Sequence, residues 1–189
     1  QEQHPGGKAT VFVLRSMRAC LVSAPSQPVL DQAIIPAAAG EADTFPSFFE
    51  ALQAAYGGLG LWECISLDAG FTSRANLHLL HENDVGFLAA LKKNQPTLWE
   101  EAVRVLGEED RLPETGWALK TVEVTGGRVD TRWFARTREL VGWDDWTCLR
   151  QVWRIRQRTE TRAGDVTWED RFYLTNLPWG RLCPGRCLE

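Results

Sequence analysis

One acidic residue has a sequence setting that is typical of a catalytic or metal-binding position. Asp68 ends the short apolar run Leu61–Leu67, which has the length and composition of a β-strand, and Ala69-Gly70 follows it. In open α/β sheets, ligands and catalytic groups gather beyond the carboxyl ends of strands. A carboxylate held there is a natural ligand for a hard cation such as Mg²⁺. The alternative is that Asp68 caps a turn or the following helix.

Polar and basic residues follow the next predicted strand. The apolar run Val85–Leu91 is closed by a turn that reads Lys92, Lys93, Asn94 and Gln95. The two strands are joined by a predicted helix and should therefore be parallel, which brings this turn to the same sheet edge as Asp68. Its side chains could contact a phosphate there. An ordinary polar turn explains the same residues equally well.

A later strand-like run concentrates arginines on one side. In Leu149–Arg158, alternation places four basic residues on one face, namely Arg150, Arg154, Arg156 and Arg158. Such a face could follow a DNA backbone, with an affinity that falls as salt rises. The segment 120–162 has ten Lys or Arg against six Asp or Glu in a chain of net charge −4, and this asymmetry can mark a nucleic-acid-facing segment. A solvated sheet face is the alternative.

Other chemistries find less support in the sequence. His78 and His81 lie three residues apart in one predicted helix but lack the H-E-x-x-H pattern of zinc enzymes. Cys183 and Cys187 have C-x3-C spacing with no second Cys or His pair nearby. The sequence contains no G-x-G-x-x-G or G-x-x-x-x-G-K-[ST] loop, which argues against a nucleotide-binding domain.

The first hundred residues alternate between strand and helix patterns. Thr44 is expected to cap a helix that starts around Pro46 and ends at Gly57-Gly58, and Thr72 or Ser73 is expected to cap a second helix. Pro96 is expected in the first turn of a third helix, which continues to Leu106. Three strands precede the first helix, predicted at Val11–Leu14, Met17–Ser23 and Val29–Ile35.

The second half is predicted to be rich in hairpins. Leu119–Val124 and Arg128–Phe134 flank Thr125-Gly126-Gly127, which is a strong turn signal. A second hairpin is predicted from Leu149–Arg158 and Thr167–Leu174. Together the patterns predict an α/β fold with a β-rich insertion or subdomain.

Composition places the chain among globular proteins. It has 189 residues, 44% of them hydrophobic, which fits one domain with or without an insertion. The sequence has no run of eighteen apolar residues and no signal-peptide pattern at its start, and its five cysteines suit a reducing compartment. We therefore expect a cytoplasmic protein that does not bind a membrane.

Several stretches resemble the insertion-sequence family of bacterial DDE transposases. ISLDAGFTSRANLHLLHENDVGFLAALKKNQPTLWEEA is similar to the segment around the second catalytic aspartate, where a strand ending in D-A is followed by a helix, a strand and a K-x-N-Q turn. CLVSAPSQPVLDQAIIPAAAGEADTFPSFFEAL and RFYLTNLPWGRL resemble flanking parts of the family. The resemblance covers most of the chain from about Val11 onward.

The resemblance implies a ribonuclease-H-like fold and phosphoryl transfer on DNA. It implies a mixed sheet with flanking helices at 9–110, a β-rich insertion at 115–177 and the start of a returning core helix at 178–189. Three carboxylates would hold two Mg²⁺ or Mn²⁺ ions for cleavage of transposon ends and strand transfer into target DNA. Partners would be DNA and, since such transposases usually act as dimers, a second copy. The protein would act at the bacterial nucleoid.

Only one of the three acids is matched. Asp68 matches the second acid and would be both a catalytic residue and a metal ligand. Asp31 is the first aspartate in the chain and is interpreted as an edge or bulge residue, and Glu189 is not interpreted as the third acid. The first and third acids are therefore expected beyond the two ends, and the metal is expected only in the complete enzyme. A transposase remnant that folds or binds DNA without chemistry is the alternative.

Overall fold

A computed structural model describes residues 14–107 and 119–181. The chain divides into two compact units, Gln1–Gly58 and Leu59–Glu189. The predicted strand Val11–Leu14 lies outside the described residues except for Leu14, and most of the helix expected at 178–189 lies outside them as well. Residues 178–181 form a turn, in which the Arg181 N–H donates to the Pro178 carbonyl. Within the described ranges, no helix is long and apolar enough to cross a membrane.

In residues 14–58, the described part of the first unit, a two-stranded hairpin precedes an α-helix. Strand β1 (Arg15–Cys20) pairs antiparallel with β2 (Val29–Ile35), so β2 has the predicted bounds and β1 is shifted toward the N-terminus from its predicted position. The pairing shifts register between Ala19 and Cys20, and Asp31 pairs with Ala19 at that irregularity. This position agrees with the interpretation of Asp31 as an edge or bulge residue.

Helix α1 (Glu41–Tyr56) begins five residues before the predicted start at Pro46. Gly40 is the N-cap rather than Thr44, and the Asp43 carboxylate accepts a hydrogen bond of 3.0 Å from the Gly40 N–H. An acid three residues after the cap satisfies a free backbone donor and favours the helix N-terminus electrostatically, which outweighs the preference of proline for the first turn. The buried residues of α1 are Phe45, Phe48, Phe49 and Leu52.

The second unit is built on one mixed sheet of six strands. Strand β3 is parallel to β4, as predicted, and all other neighbours are antiparallel, in the order β3-β4-β8-β7-β6-β5. The strands are β3 (Cys64–Leu67), β4 (Gly86–Leu91), β5 (Leu119–Thr125), β6 (Arg128–Thr137), β7 (Gln151–Glu160) and β8 (Val166–Thr175). Both predicted hairpins are present, and β8 joins them to β4 in a continuous sheet.

Tight turns explain why these strands pair as hairpins. The β5–β6 turn consists of Gly126 and Gly127, whose φ angles are 60° and 82°. Two residues with positive φ form the turn whose twist matches that of the flanking strands, and glycine adopts this conformation without steric cost. Gly164, with φ of 89°, lies in the β7–β8 turn.

Two helices accompany the sheet. Helix α2 (Arg74–Glu82) connects β3 to β4, and helix α3 (Pro96–Leu106) follows β4 with its predicted bounds. One sheet face packs against α3 through Phe172, whose ring meets Trp99 edge-on at a centroid distance of 4.8 Å. We call this the helix face, and its buried residues next to Phe172 include Ala89, Leu91, Arg154 and Leu174.

Candidate functional site at the end of strand β3

Asp68 lies immediately after β3, as predicted, and begins a 3₁₀ turn at Ala69–Phe71. Its Oδ1 atom accepts a hydrogen bond of 2.7 Å from the Ala69 N–H. Its side chain is 72% exposed, so the carboxylate keeps most of its surface available to a ligand. Ser73, and not Thr72, caps α2 by accepting from the Asn76 N–H. Asp68 is therefore both a turn cap and an open carboxylate at a strand end.

Lys92 is the charged neighbour of Asp68. It follows β4, and its Nζ atom lies 3.6 Å from Asp68 Oδ1. Both side chains are mostly exposed, and an exposed ion pair of this kind contributes about 0 to 1 kcal/mol to stability. Lys92 can therefore exchange Asp68 for another anion at little cost. Lys93 is exposed in the same turn.

Asn94 and Gln95 hold the turn that carries Asp68. Asn94 Nδ2 donates to the Ala69 carbonyl at 2.7 Å, and Gln95 Nε2 donates to the Thr72 carbonyl at 3.0 Å. The buried Thr72 hydroxyl donates to the Ala90 carbonyl at 2.8 Å. Three side chains thus fasten the Asp68 turn to the end of β4. Both amides contact protein backbone, which is a role that the sequence did not reveal.

A cleft of about 390 Å³ opens beside Asp68. Direct cross-strand partners share a sheet face, and Ala90 pairs with Tyr173, which in turn pairs with Trp153. These pairs define the face that carries the cleft, opposite the helix face, and we call it the cleft face. The residues lining the cleft are Ser66, Leu67, Asp68, Leu88, Ala90, Ile155 and Tyr173.

The predicted arginine face lies on the other side of the sheet. Arg154 pairs with Phe172, Arg156 with Asp170 and Arg158 with Trp168, which places all three on the helix face. Arg150 is exposed and precedes β7. Alternation correctly groups the three strand arginines, but they do not share a face with the cleft beside Asp68.

Arg154 requires a correction, because it is not part of an exposed face. Its side chain is 2% exposed, and its Nε atom donates to Asp170 Oδ1 at 2.8 Å. Its Nη1 atom donates to the carbonyls of Leu106 and Gly107 at the C-terminal end of α3. The guanidinium therefore satisfies helix-end carbonyls and one carboxylate, which are groups that need partners when buried. Packing of α3 over the strand causes this burial.

Arg156 and Arg158 are half-buried, and both contact neighbouring side chains of the helix face. The Arg156 guanidinium lies 4.4 Å from the ring centroid of Trp168, and Trp168 stacks with Trp133 at 5.6 Å. Arg158 Nη1 pairs with Glu160 at 2.7 Å. These contacts form a cationic and aromatic surface that is separate from the cleft.

Sequence reasoning missed three polar residues of the cleft face, namely Glu169, Arg171 and Tyr173. Arg171 pairs with Ile155 and is two residues from Tyr173, so it shares their face, and Glu169 follows the same alternation. Arg171 Nε and Nη2 donate to the two Glu169 carboxylate oxygens at 2.8 and 2.7 Å. The alternation in DRFYLT was visible in the sequence. The pairing of β8 with β4, which places these residues on the same sheet face as Asp68, could not be predicted from the sequence.

The chain matches no protein-family model and no curated protein. In the described ranges 14–107 and 119–181, no group of three or more His, Cys, Asp or Glu side chains is placed to hold a metal ion. His78 Nε2 lies 3.2 Å from the Asp145 carbonyl, a contact between α2 and the loop before β7. Cys183 and Cys187 lie outside the described residues.

Proposed function

We propose that the chain belongs to a bacterial insertion-sequence transposase of the DDE type, with a ribonuclease-H-like core. The observation that carries the proposal is the place of Asp68, an open carboxylate at the carboxyl end of a strand that is parallel to its neighbour β4. This is where open α/β sheets gather catalytic groups. The quoted resemblance of the Asp68 segment supports the same assignment.

Asp68 suits a hard cation as one ligand of a shared site. Magnesium ions in such sites are held by one or two carboxylates together with water and substrate phosphates, and Asp68 offers one exposed carboxylate. Two such ions, Mg²⁺ or Mn²⁺, would activate the attacking oxygen and stabilise the leaving oxygen during DNA cleavage and strand transfer, with Asp68 as one of their ligands. Neither the first nor the third acid of the family has a match among the residues of this chain.

The residues around Asp68 have roles that follow from their contacts. The Ala69 N–H and the braces from Asn94 and Gln95 fix the direction of the carboxylate before any ligand arrives. Lys92 neutralises Asp68 and could transfer to a DNA phosphate once a cation takes its place. The turn that carries Asp68 is thus ordered before a metal ion or DNA binds.

A transposase remnant that binds DNA without cleaving it is the second candidate. The observation that favours it is the neighbour of Asp68, which is a lysine ammonium 3.6 Å away. A cation from the protein satisfies the carboxylate without a metal. On this alternative the surface and fold of a transposase persist, and the chemistry does not.

Nicking of supercoiled plasmid in Mg²⁺ or Mn²⁺ tests the proposal. The parent chain, Asp68→Ala and the control Glu82→Ala are compared, since Glu82 is an exposed acid at the end of α2. Nicking that is lost only in Asp68→Ala would establish a metal site at Asp68 sufficient without the other two acids. No nicking with salt-sensitive DNA binding retained would favour the remnant. Nicking that persists in Asp68→Ala, or absence of both activities, would contradict both.

A further inference from the structure

We propose that Arg171 and Lys92 form a phosphodiester-binding pair on the cleft face, so that DNA lies on the same side of the sheet as Asp68. The inference rests on the proposed function, and it names the surface that the DNA substrate occupies. It replaces the arginines of β7, which lie on the helix face, as the principal backbone contacts.

The register brings the two cations together. Leu91, the last residue of β4, pairs with Phe172 of β8, and Lys92 directly follows β4 on the side toward which Arg171 precedes Phe172. The charge of Lys92 also helps to lower the pKa of Glu169, the ion-pair partner of Arg171. Lys92 also touches Asp68 at 3.6 Å, and Tyr173, two residues from Arg171, lines the cleft. The pair therefore borders the cleft next to the proposed catalytic carboxylate.

Both cations are accessible and weakly held. The side chains of Lys92 and Arg171 are 67% and 52% exposed. Arg171 already binds the two oxygens of Glu169 in a fork, which is the geometry in which a guanidinium binds phosphate. An exposed ion pair contributes little stability, so a phosphate can displace Glu169 from the guanidinium. Hydrogen bonding to Arg171 lowers the pKa of Glu169, and the charge of Lys92 adds to this effect, which places all three groups in one electrostatic cluster.

The sheet offers a matched control for Arg171. Arg158 lies on the adjacent strand and pairs with a glutamate two residues away, Glu160, but on the helix face. Arg171→Gln and Arg158→Gln remove the same charge, and each breaks an ion pair with a glutamate two residues away on the same strand. They differ in the side of the sheet from which the charge is lost.

DNA binding in EDTA, followed by the fluorescence anisotropy of a labelled duplex over a salt series, tests the proposal. Each neutralised phosphate contributes about 0.9 to the slope of log affinity against log salt. Arg171→Gln and Lys92→Gln should each reduce the slope by about 0.9 and weaken binding about fivefold at 0.15 M salt. Arg158→Gln should change both quantities by much less.

Removal of the nearby carboxylate gives a second readout with the opposite sign. Asp68→Asn abolishes a negative charge beside the proposed phosphate site and releases Lys92, so binding in EDTA should tighten about twofold or more. Melting curves establish that each variant is folded. Equal losses for Arg171→Gln and Arg158→Gln, a loss confined to Arg158→Gln, weaker binding by Asp68→Asn, or no DNA binding by the parent chain would overturn the proposal. Because the assay contains no metal, a failure to nick DNA does not affect its readout. Variant effects other than those expected, with DNA binding by the parent chain retained, overturn this inference alone, whereas absence of DNA binding by the parent chain contradicts the proposed function as well.

Discussion

At the scale of single residues, Asn94 and Gln95 position the turn that follows Asp68. Their side-chain amides donate hydrogen bonds to the carbonyls of Ala69 and Thr72. The sequence predicted that the polar residues of the K-x-N-Q turn either contact a phosphate or form an ordinary polar turn. In the structure, Lys92 lies beside Asp68 and the two amides donate to backbone carbonyls.

Loss of the Asn94 amide should destabilise the protein. Asn94→Ala removes a hydrogen bond to the Ala69 carbonyl, which still accepts from the Thr72 N–H, and this loss costs about 0.5 to 1.5 kcal/mol in the free energy of unfolding. Urea denaturation of Asn94→Ala and of the control Lys93→Ala measures the difference. The exposed Lys93 should change stability by less than about 0.5 kcal/mol. Equal stabilities for the two variants would show that the amide does not brace the turn.

Arg154 should behave as a structural residue. Arg154→Ala leaves Asp170 and two carbonyls at the end of α3 without their buried partner, and removal of one member of a buried ion pair costs about 3 to 5 kcal/mol. Thermal or urea unfolding measures this loss, with Arg156→Ala as the control from the same strand. A comparable small loss in both variants would contradict the structural role.

At the scale of secondary-structure elements, the paired strands β6 and β7 carry a polar cluster around a buried carboxylate. Asp130 is 6% exposed and accepts hydrogen bonds from Arg128, Thr159 and Gln157. The hydrogen bond from Arg128 contributes most, followed by that from Thr159, and together they lower the pKa of Asp130 to about 2. Three side chains of two strands are thereby tied to one charge.

Stability should depend on pH through Asp130. Because its folded pKa of about 2 lies below the unfolded value of about 3.9, the ionised carboxylate stabilises the fold above pH 4. That contribution is lost as the pH falls from about 4 to about 2. The difference in melting temperature between the parent chain and Asp130→Asn should therefore be largest above pH 4 and shrink toward pH 2. A difference that is constant over this range would refute the assignment.

Alanine in the β5–β6 turn should destabilise the protein. Gly126→Ala places a side chain at φ of 60°, where an L-residue costs about 1 to 2 kcal/mol although no atom crowds the position. Gly58→Ala is the control, because its surroundings are equally open and its φ is not positive. Urea denaturation should show a loss for Gly126→Ala alone.

Local sequence patterns predicted most of the helices and strands. One helix start and the burial of one arginine were not predicted. Alternation and turn residues predicted both hairpins and β2, and Pro96 with the apolar residues after it predicted α3. The apolar run before Asp68 predicted that this residue lies at the end of a strand. The start of α1 was missed because the interaction of Asp43 with Gly40 competes with the signal from Thr44 and Pro46. The burial of Arg154 was missed because α3 covers it, and α3 is distant in sequence.

At the scale of the whole molecule, the described residues of the second unit form a six-stranded sheet with helices α2 and α3. All six strands from β3 to β8, together with α2 and α3, belong to Leu59–Glu189. Buried residues of this unit include Phe87, Leu98, Phe134 and Trp153, each no more than 1% exposed. The sheet therefore has the apolar interior that an independent folding unit needs.

A fragment that spans residues 59–189 should consequently fold alone. Its far-ultraviolet circular dichroism should show mixed helix and strand, and its urea unfolding should be a single cooperative transition. A gradual, non-cooperative loss of signal would show that residues 1–58 are required for the sheet to form.

The strict alternation of β8 has a consequence for how this gene can vary. Glu169, Arg171 and Tyr173 lie on one side of the strand, and Trp168, Asp170 and Phe172 lie on the other. Substitutions can alter either set independently. Insertion of a single codon inside the strand would instead exchange the two sets beyond it, burying charges under α3 and presenting aromatic rings to the cleft. Length changes should therefore be confined to the turn at 161–165 that precedes β8, while the strand itself varies by substitution alone.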